Sequence, residues 1–199
     1  LKRLIVGGFE KVYEIGKNFR NEGIDRSHNP EFTMLEWYEA YTDYNYQMNQ
    51  FEELVAHLCK TIKGSTKFTY QGKEIDFTPP WDRLTVLDGV RKYAGINPET
   101  ISDEDLFKVL TEKGSDAKAP SSRGEMLMEL FELTAEEHLW NPTFVMDHPV
   151  EISPLTKAHR SMVGLVERFE PFAAGMEIGN SYSELNDPED QLQRLKQQE

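Results

Sequence analysis

Two runs, VYEIGKNF (12–19) and FTMLEWYEAY (32–41), alternate in character on either side of NEGIDRSHNP. Alternation of this kind marks a strand. Gly23 and Asn29-Pro30 break the stretch between them, so the pair reads as a strand and its return. TKFTYQGKEIDF (66–77) reads as a second hairpin around Gln71-Gly72. RFEPFAAGMEIGNSYSEL (168–185) reads as a third, turning at Ala173-Ala174, and TFVMDHPVEIS (143–153) also has strand character.

Helices interrupt these hairpins. Residues 47–63 carry Met48, Phe51, Leu54, Val55, Leu58 and Ile62 at helical spacing, and Gly64 is placed to end that helix. Three further helices are expected at 85–94, 103–113 and 123–139, joined by GINPET and GSDAKAPSS. Ser102 caps the second, with Glu104 and Asp105 in its first turn. Asn186 or Asp187 caps a last helix that has Pro188 at its first position. The fold class expected is α+β, built on an antiparallel sheet. Its segments are 1–81, a helical insertion over 82–141, and 142–199.

With 22 basic and 35 acidic residues, the 199-residue chain has a formal charge of −13. That opposes a broadly basic nucleic-acid surface but leaves room for a local basic patch. Cys59 stands alone, so no intrachain disulfide forms. No apolar run approaches the roughly 20 residues of a membrane span, and a soluble cytoplasmic protein is expected. Leu1 is not an initiator methionine and the chain stops at LQRLKQQE, so a fragment of a longer protein is expected.

The chemistry-bearing residues sit on the hairpins. Arg20 and Glu22 are two apart on an extended run and can face one side. They suit a phosphate or carboxylate clamp beside an amine acceptor; a surface ion-pair strand is the other reading. Beyond them, His28 and Arg26 lie in a loop able to cover a polyphosphate, and Phe32 can stack on a base or join a core. Glu36 and Tyr38 share one strand face, where a carboxylate needs a cationic partner, either a ligand or an internal Lys or Arg. In the last hairpin, a turn at Ala173-Ala174 sets Glu170 opposite Glu177. Opposed carboxylates repel unless a divalent cation lies between them; two solvated glutamates are the other reading. Asn180, Tyr182 and Glu184 alternate onto one face, with Gly179 as a bulge or a point of close approach. There is no GxxxxGK[ST], GxGxxG or CxxC, and the histidines show no metal-ligand spacing.

FRNEGIDRSHNPEFTMLEWYEAY resembles motif 2 of the class II lysyl-tRNA synthetases. MEIGNSYSELNDPEDQ resembles the stretch closing their lysine pocket, and VGGFEKVYEIGKNFRNEG and HPVEISPLTKAHRS…LVERFEPF are similar too. The resemblance runs through nearly the whole chain and is weakest in the helical insertion. It implies that Arg20 contacts the ATP α-phosphate and the amino-acid carboxylate, and that Glu22 lies near the adenine amino group. His28 and Asn29 then meet ATP phosphates and adenine, and Phe32 stacks on adenine. Glu36 and Tyr38 bind the lysine side chain together with Asn180, Tyr182 and Glu184, while Glu170 and Glu177 hold Mg²⁺ and ATP. The carboxylates of Glu36 and Glu184 suit an ammonium, where aspartyl enzymes need a cation.

By the same resemblance, the reaction joins L-lysine to ATP as lysyl-adenylate and passes the lysyl group to the acceptor end of tRNA(Lys). The family is expected to act as a homodimer. Motif 1, the anticodon domain and motif 3 are not seen. EFTMLEWY also resembles the paralogues that lysylate elongation factor P. A non-catalytic remnant that binds ATP or lysine is the third reading.

Overall fold

Residues 11–19 and 31–39 pair as the hairpin that their alternation predicts. Strand β1 (Lys11–Phe19) pairs antiparallel with β2 (Glu31–Glu39), after a short helix α1 (Lys2–Val6). The computed structural model of the chain describes residues 1–21, 23–25 and 28–197. They fall into two units, Leu1–Thr42 and Asp43–Glu199. Glu22 and Arg26, both singled out above, lie outside the described residues.

In the second unit, α2 (Tyr44–Lys63) begins where Asp43 accepts the Tyr46 amide and ends at Gly64, whose φ of 77° is the left-handed C-cap. It starts three residues before the apolar periodicity suggests, because the Asp43 cap decides the start. Strands β3 (Lys67–Tyr70) and β4 (Lys73–Asp76) form the expected hairpin. Gln71 and Gly72 both have positive φ, as a tight two-residue turn requires.

The main sheet has five strands: β5 (Asp82–Thr85), β6 (Thr143–Met146), β7 (Arg168–Ala173), β8 (Met176–Glu177) and β9 (Ser181–Tyr182). The pair β5–β6 is parallel, whereas β7 pairs antiparallel with β6, β8 and β9. The strand expected at 143–153 stops at Met146, because Asp147 turns to φ 60°. A 3₁₀ turn follows at Val150–Ile152.

Alternation along β6 and β7 divides the core between two sheet faces. Phe144 and Phe169 point to one face and pack with Tyr44 and Met48 of α2 and with Trp81. Val145 and Phe172 point to the other. There they meet α3 (Val86–Gly89), α4 (Asp103–Glu112) and α5 (Arg123–Thr134) through Val86, Leu106, Leu110, Leu130 and Phe131. Each such large apolar side chain contributes roughly 1.5–3 kcal/mol by leaving water. Ser102 and Ser122 cap α4 and α5, the latter in a reciprocal capping box with Glu125. Asp187, one of the two expected caps, accepts the Glu189 and Asp190 amides at the start of α6 (Pro188–Gln197).

The last hairpin corrects the expected register. Its turn residues are Ala174 and Gly175, both left-handed at φ 55° and 70°, so Glu177 pairs with Phe172 and Ala173 with Met176. Glu170 pairs instead with Val145 on its other side. The tight turn needs two positive φ values, which Gly175 adopts freely and an Ala173-Ala174 turn would not supply. The error is two residues in register, so both glutamates keep a common face.

Candidate active site

In the first unit, Arg20 follows β1, and its amide donates to the Pro30 carbonyl at 2.9 Å. Its guanidinium lies 5.3 Å from the centre of the Phe32 ring, a cation–π distance. The two residues expected at phosphate and adenine are therefore neighbours. His28 is tied to Asp25 through its amide (2.7 Å) and its Nδ1 (2.8 Å). Asn29 donates to the Glu31 carbonyl at 2.6 Å. Tyr38 donates to Glu36 at 2.6 Å, so the phenol and carboxylate expected around a lysine ammonium already meet.

Glu14 joins this face with no signal of its own in the sequence. The register sets it directly opposite Glu36, so two carboxylates occupy the same face as Tyr38. Both strands were legible; the pairing between them was not, because the long connection of residues 20–30 fixes no turn type.

In the second unit, Glu170 and Glu177 line one cavity of about 510 Å³ with Arg168, His148, Glu125, Glu129, Glu132 and Glu136. Arg168 donates to Glu170, to Ser153 Oγ at 3.0 Å and to Asn180 Oδ1 at 3.2 Å. Asn180 thus joins Glu170 through one guanidinium. Fully buried His148 has Nε2 at 3.3 Å from Glu170, an ion-pair distance without hydrogen-bond alignment. Burial opposes the charge of Glu170, but His148 and Arg168 outweigh it and hold the carboxyl below its usual range. Glu136 behaves oppositely: burial, then Glu132, Glu170 and Glu177, push it up to about 7.

Tyr182 pairs with Arg168 across β9 and β7, and Ser181 pairs with Phe169. Tyr182 therefore stands on the face of Arg168 and Glu170. Glu184 bridges to Thr156. Gly179 sits between β8 and β9, where a Cβ would come within 3.1 Å of Phe51 and 3.2 Å of Pro171. It is the close approach its sequence position suggested.

A family model described as tRNA synthetases class II (D, K and N) matches residues 1–199. The chain belongs to that family. Among curated relatives, the chain is 54% identical to a lysine–tRNA ligase of Clostridium perfringens over 202 residues, covering 100% of the chain and 40% of that protein. It is 54% identical to the lysine–tRNA ligase of Methanoculleus marisnigri and 55% identical to that of Clostridium acetobutylicum, covering 100% of the chain and 39% of each. The chain therefore spans about 40% of the length of these relatives. Among its described residues, no three His, Cys, Asp or Glu side chains converge as a metal cluster. No described helix is long and apolar enough to cross a membrane.

Proposed function

We propose that the chain is the motif 2-bearing part of a lysine–tRNA ligase catalytic core. It activates L-lysine with ATP to lysyl-adenylate and serves its transfer to tRNA(Lys). The carrying observation is the Tyr38–Glu36 hydrogen bond, a preformed acceptor group suited to an ammonium. The likeness to lysine–tRNA ligases at 54–55% identity supports it.

In this reading, the lysine carboxylate attacks the α-phosphorus of ATP and pyrophosphate leaves, so no protein nucleophile is needed. Arg20 grips carboxylate and α-phosphate together, and Phe32 stacks on adenine beside it. Glu22, His28 and Asn29 complete the nucleotide contacts. Glu36, Tyr38, Asn180, Tyr182 and Glu184 orient the lysine. Catalysis is then positioning and charge stabilisation.

Glu170 and Glu177 offer oxygen donors from one sheet face to one cavity, a set that suits Mg²⁺ with phosphate and water completing its shell. The ion would neutralise charge on the phosphates. A homodimer and a cytoplasmic location accompany this proposal.

The test is lysine-dependent ATP–pyrophosphate exchange, with arginine and aspartate as controls, followed by acceptor assays with tRNA and with elongation factor P. Lysine-specific exchange and tRNA charging are expected. Absence of both exchange and lysine binding would overturn the reading.

A further inference from the structure

The strand that carries the lysine-pocket residues is very short. Strand β9 is two residues long, Ser181–Tyr182, yet Asn180, Tyr182 and Glu184 depend on it for orientation. A ladder of that length holds a backbone poorly. Ser183 supplies what the ladder lacks. Its amide donates to the Glu167 carbonyl at 2.9 Å, and its carbonyl accepts the Lys157 amide at 2.8 Å. Its Oγ accepts the Tyr44 amide, at the first residue of α2, at 3.1 Å. The residue is 8% exposed.

Glu167 is itself anchored. Arg160 donates to it at 2.6 Å and to Asp43, the α2 cap, at 2.8 Å. Asp43 and Tyr44 are adjacent, so Asp43, Arg160, Glu167, Ser183 and Tyr44 close a ring of bonds. Burial opposes the charge on Glu167, but the Arg160 guanidinium and the neighbouring Ser183 outweigh it and hold the carboxyl below its usual range.

We propose that Ser183 is a positioning residue for the lysine pocket: the ring locks its side chain inward, and strand alternation thereby turns Tyr182 and Glu184 toward the opposite face. The inference rests on the lysine reading above. It assigns no contact with substrate to Ser183. Its effect passes through the two neighbours, and through lysine far more than ATP.

The experiment compares Ser183→Ala and Ser183→Thr with the unaltered 199-residue chain. It measures L-lysine and ATP dissociation constants by calorimetry, thermal melting, and amide exchange over residues 181–185. Ser183→Ala should weaken lysine about tenfold, the equivalent of the one side-chain hydrogen bond it removes. ATP affinity should stay within about twofold while exchange over 181–185 accelerates, and Ser183→Thr, which keeps the hydroxyl, should restore lysine binding. Should Ser183→Ala fail to fold, Ser183→Cys keeps the volume with a weaker acceptor for the Tyr44 amide and carries the same expectation at reduced size. Unchanged lysine affinity in the Ala variant would overturn the inference and leave the lysine reading standing. So would an equal loss of lysine and ATP affinity tracking the melting temperature. An unaltered chain that binds no lysine would sink the reading, and the inference with it.

Discussion

Glu14 lies directly across the first hairpin from Glu36. Like charges at directly opposed positions destabilise a strand pair by roughly 0.2–1 kcal/mol. Replacing Glu14 with Gln should therefore raise thermal stability by a small amount, and the gain should shrink in high salt as screening removes the repulsion. Melting curves at low and high ionic strength check this. A variant less stable than the parent at low salt would show that the pair does not repel in the fold.

Tyr44 donates to Asp147 at 2.9 Å, and both residues are at least 97% buried. Tyr44→Phe should cost about 1–3 kcal/mol by denaturant unfolding at pH 7. Burial raises the Asp147 pKa above its ordinary 3.8, and the Tyr44 bond partly offsets that rise. The bond thus favours the charged form, so its loss matters most where Asp147 is ionised. The penalty should narrow as pH falls toward about 4. A penalty independent of pH would reject the carboxylate as the partner that matters.

Gly89 leaves room for an aromatic ring. A Cβ there would lie 2.2 Å from Phe131 Cε2, and Phe131 is fully buried in the core against α5's neighbours. Gly89→Ala should cost about 2–3 kcal/mol by overpacking. Adding Phe131→Leu should recover part of the loss, a coupling that a double-mutant cycle of unfolding free energies would read.

Glu136 has its pKa raised to about 7 from 4.5, first by burial and then by Glu132, Glu170 and Glu177. The fold therefore holds this proton more tightly than the unfolded chain does. The stability it contributes is complete below about pH 4.5 and is lost as pH rises through about 7. Glu136→Gln should flatten that slope and gain on the order of 1–2 kcal/mol over the parent at pH 8. Glu170, shifted downward, acts below its ordinary 4.5, so the two windows separate in a pH series of melting curves.

Local chemistry was legible in the sequence wherever it was self-contained. The Asp187 and Ser102 caps, the Gly64 stop and the Gln71-Gly72 turn depend on neighbours within a few residues, and each was readable. Glu36 with Tyr38, and Tyr182 with Glu184, could be singled out because each pair follows strand alternation. Long-range partners were not readable. Nothing near Ser183 in the sequence announces Glu167 or Tyr44, and nothing near His148 announces Glu170. His148 and His159 have no ligand spacing, yet one is buried beside Glu170 and the other lies 3.3 Å from the Tyr44 hydroxyl. The pairing of Glu14 with Glu36 required a register that an eleven-residue connection does not encode.

The turn at Ala174 and Gly175 has a consequence for length variation. Because facing residues repeat in twos, a pair of residues gained or lost at this turn would slide Glu177 along the strand and leave it on the cavity side. A single residue gained or lost would send it to the other side of the sheet. Relatives that differ here by even counts can keep the chemistry, whereas an odd count calls for a bulge to restore it.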